Sequence, residues 1–490
     1  MKLKIKNFDW LAGRPVVVLN NKVAKKLNVF VDERVVLSNH HSVHAIVDIF
    51  PKLVKDDEIG VSKEVASILK LRNRSIIEVN VSGMVGASRI IKKKISGKEL
   101  SAKELTTLID AIVNNKITEA EIAYFTAAEK LSGMSLKETI ALTRAMVKTG
   151  ARLKFSGKYI ADKHSIGGIA GNRTTPIVIA ICAAAGLTLP KTSSRAITSA
   201  SGTADVIETI TNVEIPLSKI KKVVKKTGAC LAWGGSLGLA PSDDKIIQVE
   251  RLLNLDVEPQ LIASIISKKV SAGSKYVLID IPYGRGAKVT TLKNAKHLGR
   301  KFKQLAKSFG LKLKVVYTDG RQPIGDGIGP TLEMLDVLAV LNNRGPKDLK
   351  KKSLYLSAEL MKLCNIKNAI EKAKEILSSG KALEKFKEII IAQNGKDDYD
   401  EKVKALTLAK FKKTIKATRT GRISSIDNNG TNTLCRILGT PETKGAGAYL
   451  HKHVGKVKKG EPIMTLYSES KTKMREALRF IKGKSPVKIE

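Results

Sequence analysis

Acidic and aromatic side chains are scarce in this chain, and it has neither a long apolar run nor a cysteine pair. Of its 490 residues, 46 are Asp or Glu against 87 Lys or Arg, a formal net charge of +41. Aromatic residues make up only 4%, so stacking platforms for single-stranded nucleic acid are few. The four cysteines, Cys182, Cys230, Cys364 and Cys435, form no CxxC pair and no ligand cluster. That argues against a disulfide framework and a structural zinc site, and for a reduced intracellular protein. No apolar run approaches the ~20 residues of a membrane span; the longest, 176–190, is bounded by prolines. The opening Met1-Lys-Leu-Lys-Ile-Lys6 alternates like an edge strand and lacks the apolar core of a signal peptide. The expectation is a cytoplasmic protein without a membrane partner.

The excess of positive charge favours polyanions in general. The lysines are nevertheless spread along helical segments such as 218–226 and 346–352, as on a solvated surface. An RNA affinity at low salt is expected from the charge alone, without a specific nucleic-acid partner. Hydrophobic residues at 43% exclude general disorder, and 490 residues suffice for several domains with cores of their own.

Four regions are legible. Residues 1–84 mix short Val/Ile-rich runs (14–19, 35–37, 43–49 and 76–81) with turn residues and predict a β-rich N-terminal module. Residues 85–155 show helical periodicity, with Ser101, Thr118 and Ser135 as N-caps, and 241–271 is helical again. These two stretches form one expected helical lobe. Residues 156–240 and 272–410 alternate strand-like and helical runs and predict a large α/β lobe whose end, 346–410, is Lys-rich helix. Residues 411–490 return to short strands and predict an α+β C-terminal domain, with a β-hammerhead-like turn at 455–463.

Chemistry concentrates in two loops. Residues 162–175 run Asp-Lys-His-Ser-Ile-Gly-Gly-Ile-Ala-Gly-Asn-Arg-Thr-Thr. Lys163 and Arg173 supply charge, Ser165, Thr174 and Thr175 supply hydroxyls, and the glycines let backbone N–H groups approach a ligand closely. The apolar run 176–187 that follows reads as a buried helix, whose N-terminus favours an anion. No Gly-Lys-Ser/Thr closes the loop, so it is not a triphosphate-binding Walker loop. About 30 residues on, as a βαβ step requires, residues 190–205 surround Arg195 with Ser193, Ser194, Thr198, Ser199, Ser201 and Thr203. A guanidinium fork suits a phosphate. Taken singly, either loop also has a plainer reading as a polar connection between strand and helix, and the occurrence of two such loops one βαβ step apart weighs against it.

The segments Lys163-His-Ser-Ile-Gly-Gly168, Ser194-Arg-Ala-Ile-Thr198 and Gly202-Thr-Ala-Asp205 resemble the thymidine/pyrimidine-nucleoside phosphorylase family. Asp256, the helix 262–269, Asp280-Ile-Pro-Tyr-Gly-Arg-Gly-Ala-Lys288, Gln322-Pro-Ile-Gly325, Gly327-Ile-Gly-Pro330 and Thr420-Gly-Arg-Ile423 continue the resemblance in order along nearly the whole chain. It is greatest to the branch that acts on nucleoside monophosphates. The resemblance implies a class II nucleoside phosphorylase-like fold, a helical lobe and an α/β lobe closing over substrate, and a homo-oligomer, at least a dimer. It implies phosphorolysis of AMP, with CMP and UMP as further candidates, by inorganic phosphate to free base and ribose 1,5-bisphosphate. No cofactor and no metal are implied; His451 and His453 lack further ligand-type neighbours.

Carried over position by position, the resemblance assigns Lys163, Ser165 and Thr175 to inorganic phosphate. It assigns Gly168, Ser194, Arg195, Ala196, Ile197, Thr198, Ser199 and Thr203 to the nucleotide. An Asp before a helix most simply serves as an N-cap; the resemblance instead makes Asp256 the acid that protonates the leaving base. Ser264 and Lys268, one turn apart on a helix face and so able to face one ligand, and Lys288 read by themselves either as ligand contacts or as ordinary polar residues; the resemblance favours substrate contacts. Ala196-Ile197-Thr198 stands where the nucleoside-specific relatives are Gly-rich, and Gln248, Val249 and Glu250 stand near their pyrimidine-reading Arg, with Arg251 offset. These two departures favour a nucleotide over a pyrimidine nucleoside; a nucleoside phosphorylase and a basic RNA-binding protein are the alternatives. The first loop is also longer by one residue, which leaves the register open between Thr174 and Thr175.

Overall fold

The computed structural model describes residues 1–490 apart from Gly83, Met84, Thr198, Asn254 and Asp256, and apart from the side chains of Val85 and Leu253. The chain divides into two units, Met1–Thr149 with Pro241–Ala263, and Gly150–Ala240 with Ser264–Glu490. The division therefore falls inside the helix Glu258–Ser271 rather than at its end, as the sequence had suggested.

The first unit opens with a closed six-stranded barrel in the order β1-β5-β2-β4-β3-β6. Its strands are β1 (Lys2–Asn7), β2 (Val16–Leu19), β3 (Arg34–Ser38), β4 (Ser42–Ile49), β5 (Glu58–Val61) and β6 (Ile76–Val81). In β1 the alternation turns Leu3 and Ile5 inward and leaves Lys2 and Lys4 exposed. The expectation of an edge strand is overturned, because β1 pairs with β5 on one side and β6 on the other. Alternation reports which face is buried and carries no information about whether both edges are paired.

The helices Ala102–Val113, Glu119–Ser132 and Leu136–Thr149 start where Ser101, Thr118 and Ser135 stand. Ser101 and Thr118 form capping boxes with Glu104 and Glu121. Ser135 exchanges the same pair of bonds with Glu138, at 2.9 and 3.1 Å. Arg34 of the barrel donates to the carbonyls of Asn115 and Ile117 and to Glu119, fastening barrel to bundle. The helix Pro241–Leu253 joins this bundle through Lys245, whose ammonium caps the Ile112 and Val113 carbonyls at 2.8 Å each.

The second unit is built on parallel strands β7 (Ala161–Ser165), β8 (Leu189–Ser193), β9 (Ala229–Trp233), β10 (Tyr276–Tyr283) and β11 (Lys312–Asp319). The sheets β11-β10-β7 and β8-β9 are joined by a parallel bridge between Ile160 and Thr188 into the series β11-β10-β7-β8-β9. The apolar run after the first loop forms the helix Thr174–Ala184, apolar on all sides because helices Lys347–Leu363 and Lys381–Asn394 cover it. Ile177, Val178, Ile179 and Ile181 are fully buried, at about 2 kcal/mol each, and this anchorage fixes where the loop ahead of the helix ends.

The C-terminal part has two sheets. β12 (Gly327–Ile328), β15 (Gly447–Leu450), β17 (Pro462–Ser468) and β13 (Phe411–Lys416) form one; β16 (Gly455–Val457), β14 (Gly421–Ile426) and β18 (Val487–Ile489) form the other. Helices Asn428–Leu438 and Lys471–Gly483 pack with them. Among the described residues no helix is long and apolar enough to cross a membrane.

Candidate active site

In the strand series, β8 and β9 lie on one side of β7, and β10 and β11 on the other. The chain reverses its direction of winding between β7 and β10, and in open α/β sheets the crevice beyond the carboxyl ends of such a strand pair is where ligands bind. Both Gly-rich motifs leave the sheet at its carboxyl end: 166–173 after β7, and 284–288 after β10. They touch. Gly168 has φ +103°, and a Cβ there would sit 2.9 Å from the Lys288 backbone nitrogen. Gly171, at φ +68°, lies so close to the Ile324 carbonyl that a Cβ would come within 2.5 Å of it. Gly167 faces open space.

Beneath these loops lies a floor of buried charge. Asp280 of β10 accepts from the Ser165 hydroxyl at 2.7 Å and the Thr318 hydroxyl at 2.6 Å, with the Lys352 ammonium 3.1 Å away. Burial pushes the Asp280 carboxyl up, but the ammonium groups of Lys352 and Lys163 outweigh it and hold it below the usual range. Lys163 is fully buried and donates to Thr174 Oγ1 at 2.8 Å and, more weakly, Thr175 Oγ1 at 3.4 Å. Burial lowers its pKa to about 7. Next to it Asp162 lies 3.1 Å from Lys191 and 2.7 Å from Lys269. Five buried basic groups (Lys163, Lys191, Lys269, Lys352 and Arg173) thus stand among three buried carboxylates (Asp162, Asp280 and Glu333). Burial and the ammonium groups of Lys269, Lys191, Lys163 and Lys268 push the His164 imidazole well down, so it is neutral at physiological pH. An arrangement with an excess of buried positive charge, hydroxyls above it and a helix N-terminus beside it is suited to an anion.

Arg173, read from the sequence as charge for a ligand, is a brace instead. It donates to Glu333 and the Thr203 hydroxyl at 2.7 Å each, and to the Ser201 carbonyl at 2.9 Å. The first loop is thereby tied to the second, 194–202. Asp205 holds that second loop from below, accepting from the Ala196 and Gly202 backbone N–H groups at 2.7 and 2.8 Å. Arg195 is also already matched: its fork grips Glu208 at 2.6 and 2.7 Å, reaches Glu214 at 2.8 Å, and stacks on Trp233. The expectation that Arg195 offers its guanidinium to a phosphate is at odds with this geometry, because three acidic side chains, Asp205, Glu208 and Glu214, neutralise it.

Of the predicted residues, Lys163, Ser165, Gly168, Thr175, Lys288 and Thr203 come together around the ends of β7 and β10 and the loop after β8. Ser194 is exposed, and Ala196, Ile197 and Ser199 are half-buried along the second loop. Ser264 is buried and Lys268 half-buried on the helix Glu258–Ser271. Asp256 and Thr198 lie outside the described residues. Sequence reasoning quoted Asp280 only as part of a motif and missed Lys191, Lys269, Lys352 and Glu333. Lys352 sits in a Lys-rich helix where nothing local sets it apart. Its partner Asp280 is signalled only by being an acid inside an apolar strand. Among the described residues no group of three or more His, Cys, Asp or Glu side chains could hold a metal ion.

Residues 88–150 match the glycosyl transferase family helical bundle domain, 157–383 its a/b domain, and 423–488 the pyrimidine nucleoside phosphorylase C-terminal domain. The chain is 42% identical to AMP phosphorylase of Pyrococcus furiosus and 41% identical to that of Thermococcus kodakarensis, in both cases across 100% of this chain and 98% of the relative. It is 38% identical to AMP phosphorylase 1 of Archaeoglobus fulgidus across 100% and 97%. In fold it is similar to anthranilate phosphoribosyltransferase from Thermus thermophilus, with a TM-score of 0.53 and 17% identity over 62% of this chain and 99% of that one. A chain that shares this much sequence over its full length with such relatives belongs to the AMP phosphorylase family, phosphate-using pentosyltransferases.

Proposed function

We propose that the chain catalyses phosphorolysis of AMP, with CMP and UMP as further substrates, to the free base and ribose 1,5-bisphosphate. A phosphate oxygen forms a bond to C1′ as the C1′–N bond to the base breaks, and the base leaves with a proton. Phosphate is anionic at neutral pH and needs positioning more than deprotonation. The buried basic floor under the loop 166–173 is the observation that carries this reading. Lys163, Ser165 and Thr175 orient the attacking phosphate, and the preorganised basic floor holds that anion against a ribosyl centre that gains positive charge as the base leaves. Gly168, Ser194, Ala196 to Ser199, Thr203, Ser264 and Lys288 line the nucleotide. Arg195, held by its acids, shapes the second loop and reaches the nucleotide only by exchanging a carboxylate for its phosphate. Asp256 donates the proton to the base. Phosphorolysis must compete with hydrolysis, so the site has to keep water from C1′.

The enzyme acts in the cytoplasm as a homo-oligomer, assembled through the N-terminal barrel. Phe30, Val31 and Phe50 are exposed there, and Asp32 N–H donates to the Val47 carbonyl, drawing their two segments together. The match of 423–488 to a pyrimidine nucleoside phosphorylase domain favours, as the second reading, action on nucleosides. The test is phosphorus NMR of AMP incubated with phosphate: two ribose-bound phosphate signals appear if ribose 1,5-bisphosphate forms. Release of ribose 5-phosphate instead would mean hydrolysis and overturn the reading. Turnover in Asp256→Asn at the parent rate would remove Asp256 from its role.

A further inference from the structure

The helix Asn428–Leu438 belongs to the C-terminal domain, yet two side chains of its first turns are spent on the loops of the α/β sheet. Asn428 accepts from the Ala170 N–H at 3.1 Å and donates to the Gly320 carbonyl at 3.0 Å. Asn432, one turn on and so on the same face, accepts from the Ala200 N–H at 3.0 Å and donates to the Gly168 carbonyl at 3.4 Å. Both side chains are buried, at 0% and 4% exposure. The start of the helix is fixed by Asp427, which accepts from Gly430 N–H at 2.6 Å. The loop 284–288 rests on the same residue, since a Cβ on Gly286 would sit 2.8 Å from Asp427 Oδ1.

We propose that Asn428 and Asn432 are positioning residues for phosphate, and that Asn432 sets the gap between the two anion loops. This rests on the reading of 166–173 and 194–202 as the phosphate and nucleotide loops. One planar amide holds a carbonyl of the first loop and an N–H of the second, so the distance between Gly168 and Ala200 is fixed by the width of a carboxamide. Arg173 also ties the loops, but it does so from the far end of the first loop. The C-terminal domain thus contributes to the site through Asn428 and Asn432, whose amides are spent on loop backbone. Removing either amide leaves a buried backbone N–H without its partner, a penalty that loosens the loop rather than unfolding the domain.

The test uses the full chain with Asn428→Ala, Asn432→Ala and Asn432→Asp, read by hydrogen–deuterium exchange and by steady-state kinetics. Asn432→Ala should speed exchange in both 166–173 and 194–202, whereas Asn428→Ala should do so in 166–173 and around 320. Both should raise the KM for phosphate about tenfold, the effect of one lost buried hydrogen bond, with kcat at saturating phosphate within about threefold of the parent. Asn432→Asp keeps the acceptor for Ala200 but turns a carboxylate toward the Gly168 carbonyl. It should therefore loosen the first loop alone, and it decides the matter if Asn432→Ala does not fold. Unchanged exchange in both loops, or a lower melting temperature with unchanged KM, overturns the proposal. If the parent shows no phosphorolysis of any nucleotide or nucleoside, the functional reading fails. The exchange arm, run with and without inorganic phosphate, still decides whether the amides hold the loops.

Discussion

Lys163 and Asp336 both titrate far from their ordinary ranges, and each gives a pH dependence with a definite sign. Lys163 titrates near 7 in the folded protein, against ~10.4 for a free lysine, because burial disfavours its charge. An anion bound above it favours the charged form, so binding takes up a proton once the pH exceeds about 7. Sulfate does not titrate in this range; its affinity by calorimetry should fall as pH rises from about 7 to about 9, by up to roughly tenfold per unit. Lys163→Met should bind weakly at every pH. A parent affinity independent of pH would place Lys163 away from the anion. Asp336, with the Asp326 and Gly327 N–H groups on it at 2.8 Å each, has its carboxyl pushed up by burial to about 7, against ~3.9 unfolded. Between about pH 4 and 7 the folded state holds a proton that the unfolded chain lacks, so stability falls as pH rises through that window and levels off above it. Asp336→Asn keeps an acceptor for both N–H groups. Its denaturation midpoint should vary less with pH than the parent's over that window, and a parallel pair of curves would contradict the assignment.

Local signals made several elements legible. Ser101, Thr118 and Ser135, each followed three residues later by Glu, marked helix starts because the cap is a bond within four residues. The run 176–187 announced a buried helix because its apolarity is continuous. What stayed hidden needs partners far along the chain: β1 closes a barrel through β5 and β6, and Arg195 meets Glu208 and Glu214 rather than a ligand. In the candidate site, the sequence offered the hydroxyls, glycines and Lys163. It did not offer the floor, since Lys352 and Lys269 acquire meaning only when the fold sets them against Asp280 and Asp162. The glycines of the first loop give a paired prediction. Gly171→Ala meets both a positive φ and the Ile324 carbonyl, and should lower stability by about 1–3 kcal/mol. Gly167→Ala meets nothing and should leave the melting temperature within a degree or so of the parent. Equal effects would mean that the loop is not held as described.

At the scale of the whole molecule, a net charge of +41 leaves two accounts to separate. A solvated lysine surface predicts RNA binding that disappears at physiological salt, with a steep fall in affinity as ions are added. A built nucleotide site predicts turnover that persists there. The buried basic floor favours the second, because its lysines are inside the sheet lobe and out of reach of a polymer. The most direct measurement is phosphate-dependent release of base from AMP at physiological salt, with adenosine, CMP and thymidine in parallel. Base should be released from AMP and not from adenosine. Turnover of thymidine without AMP would move the chain to the nucleoside phosphorylases, and no turnover of any of the four would contradict the account.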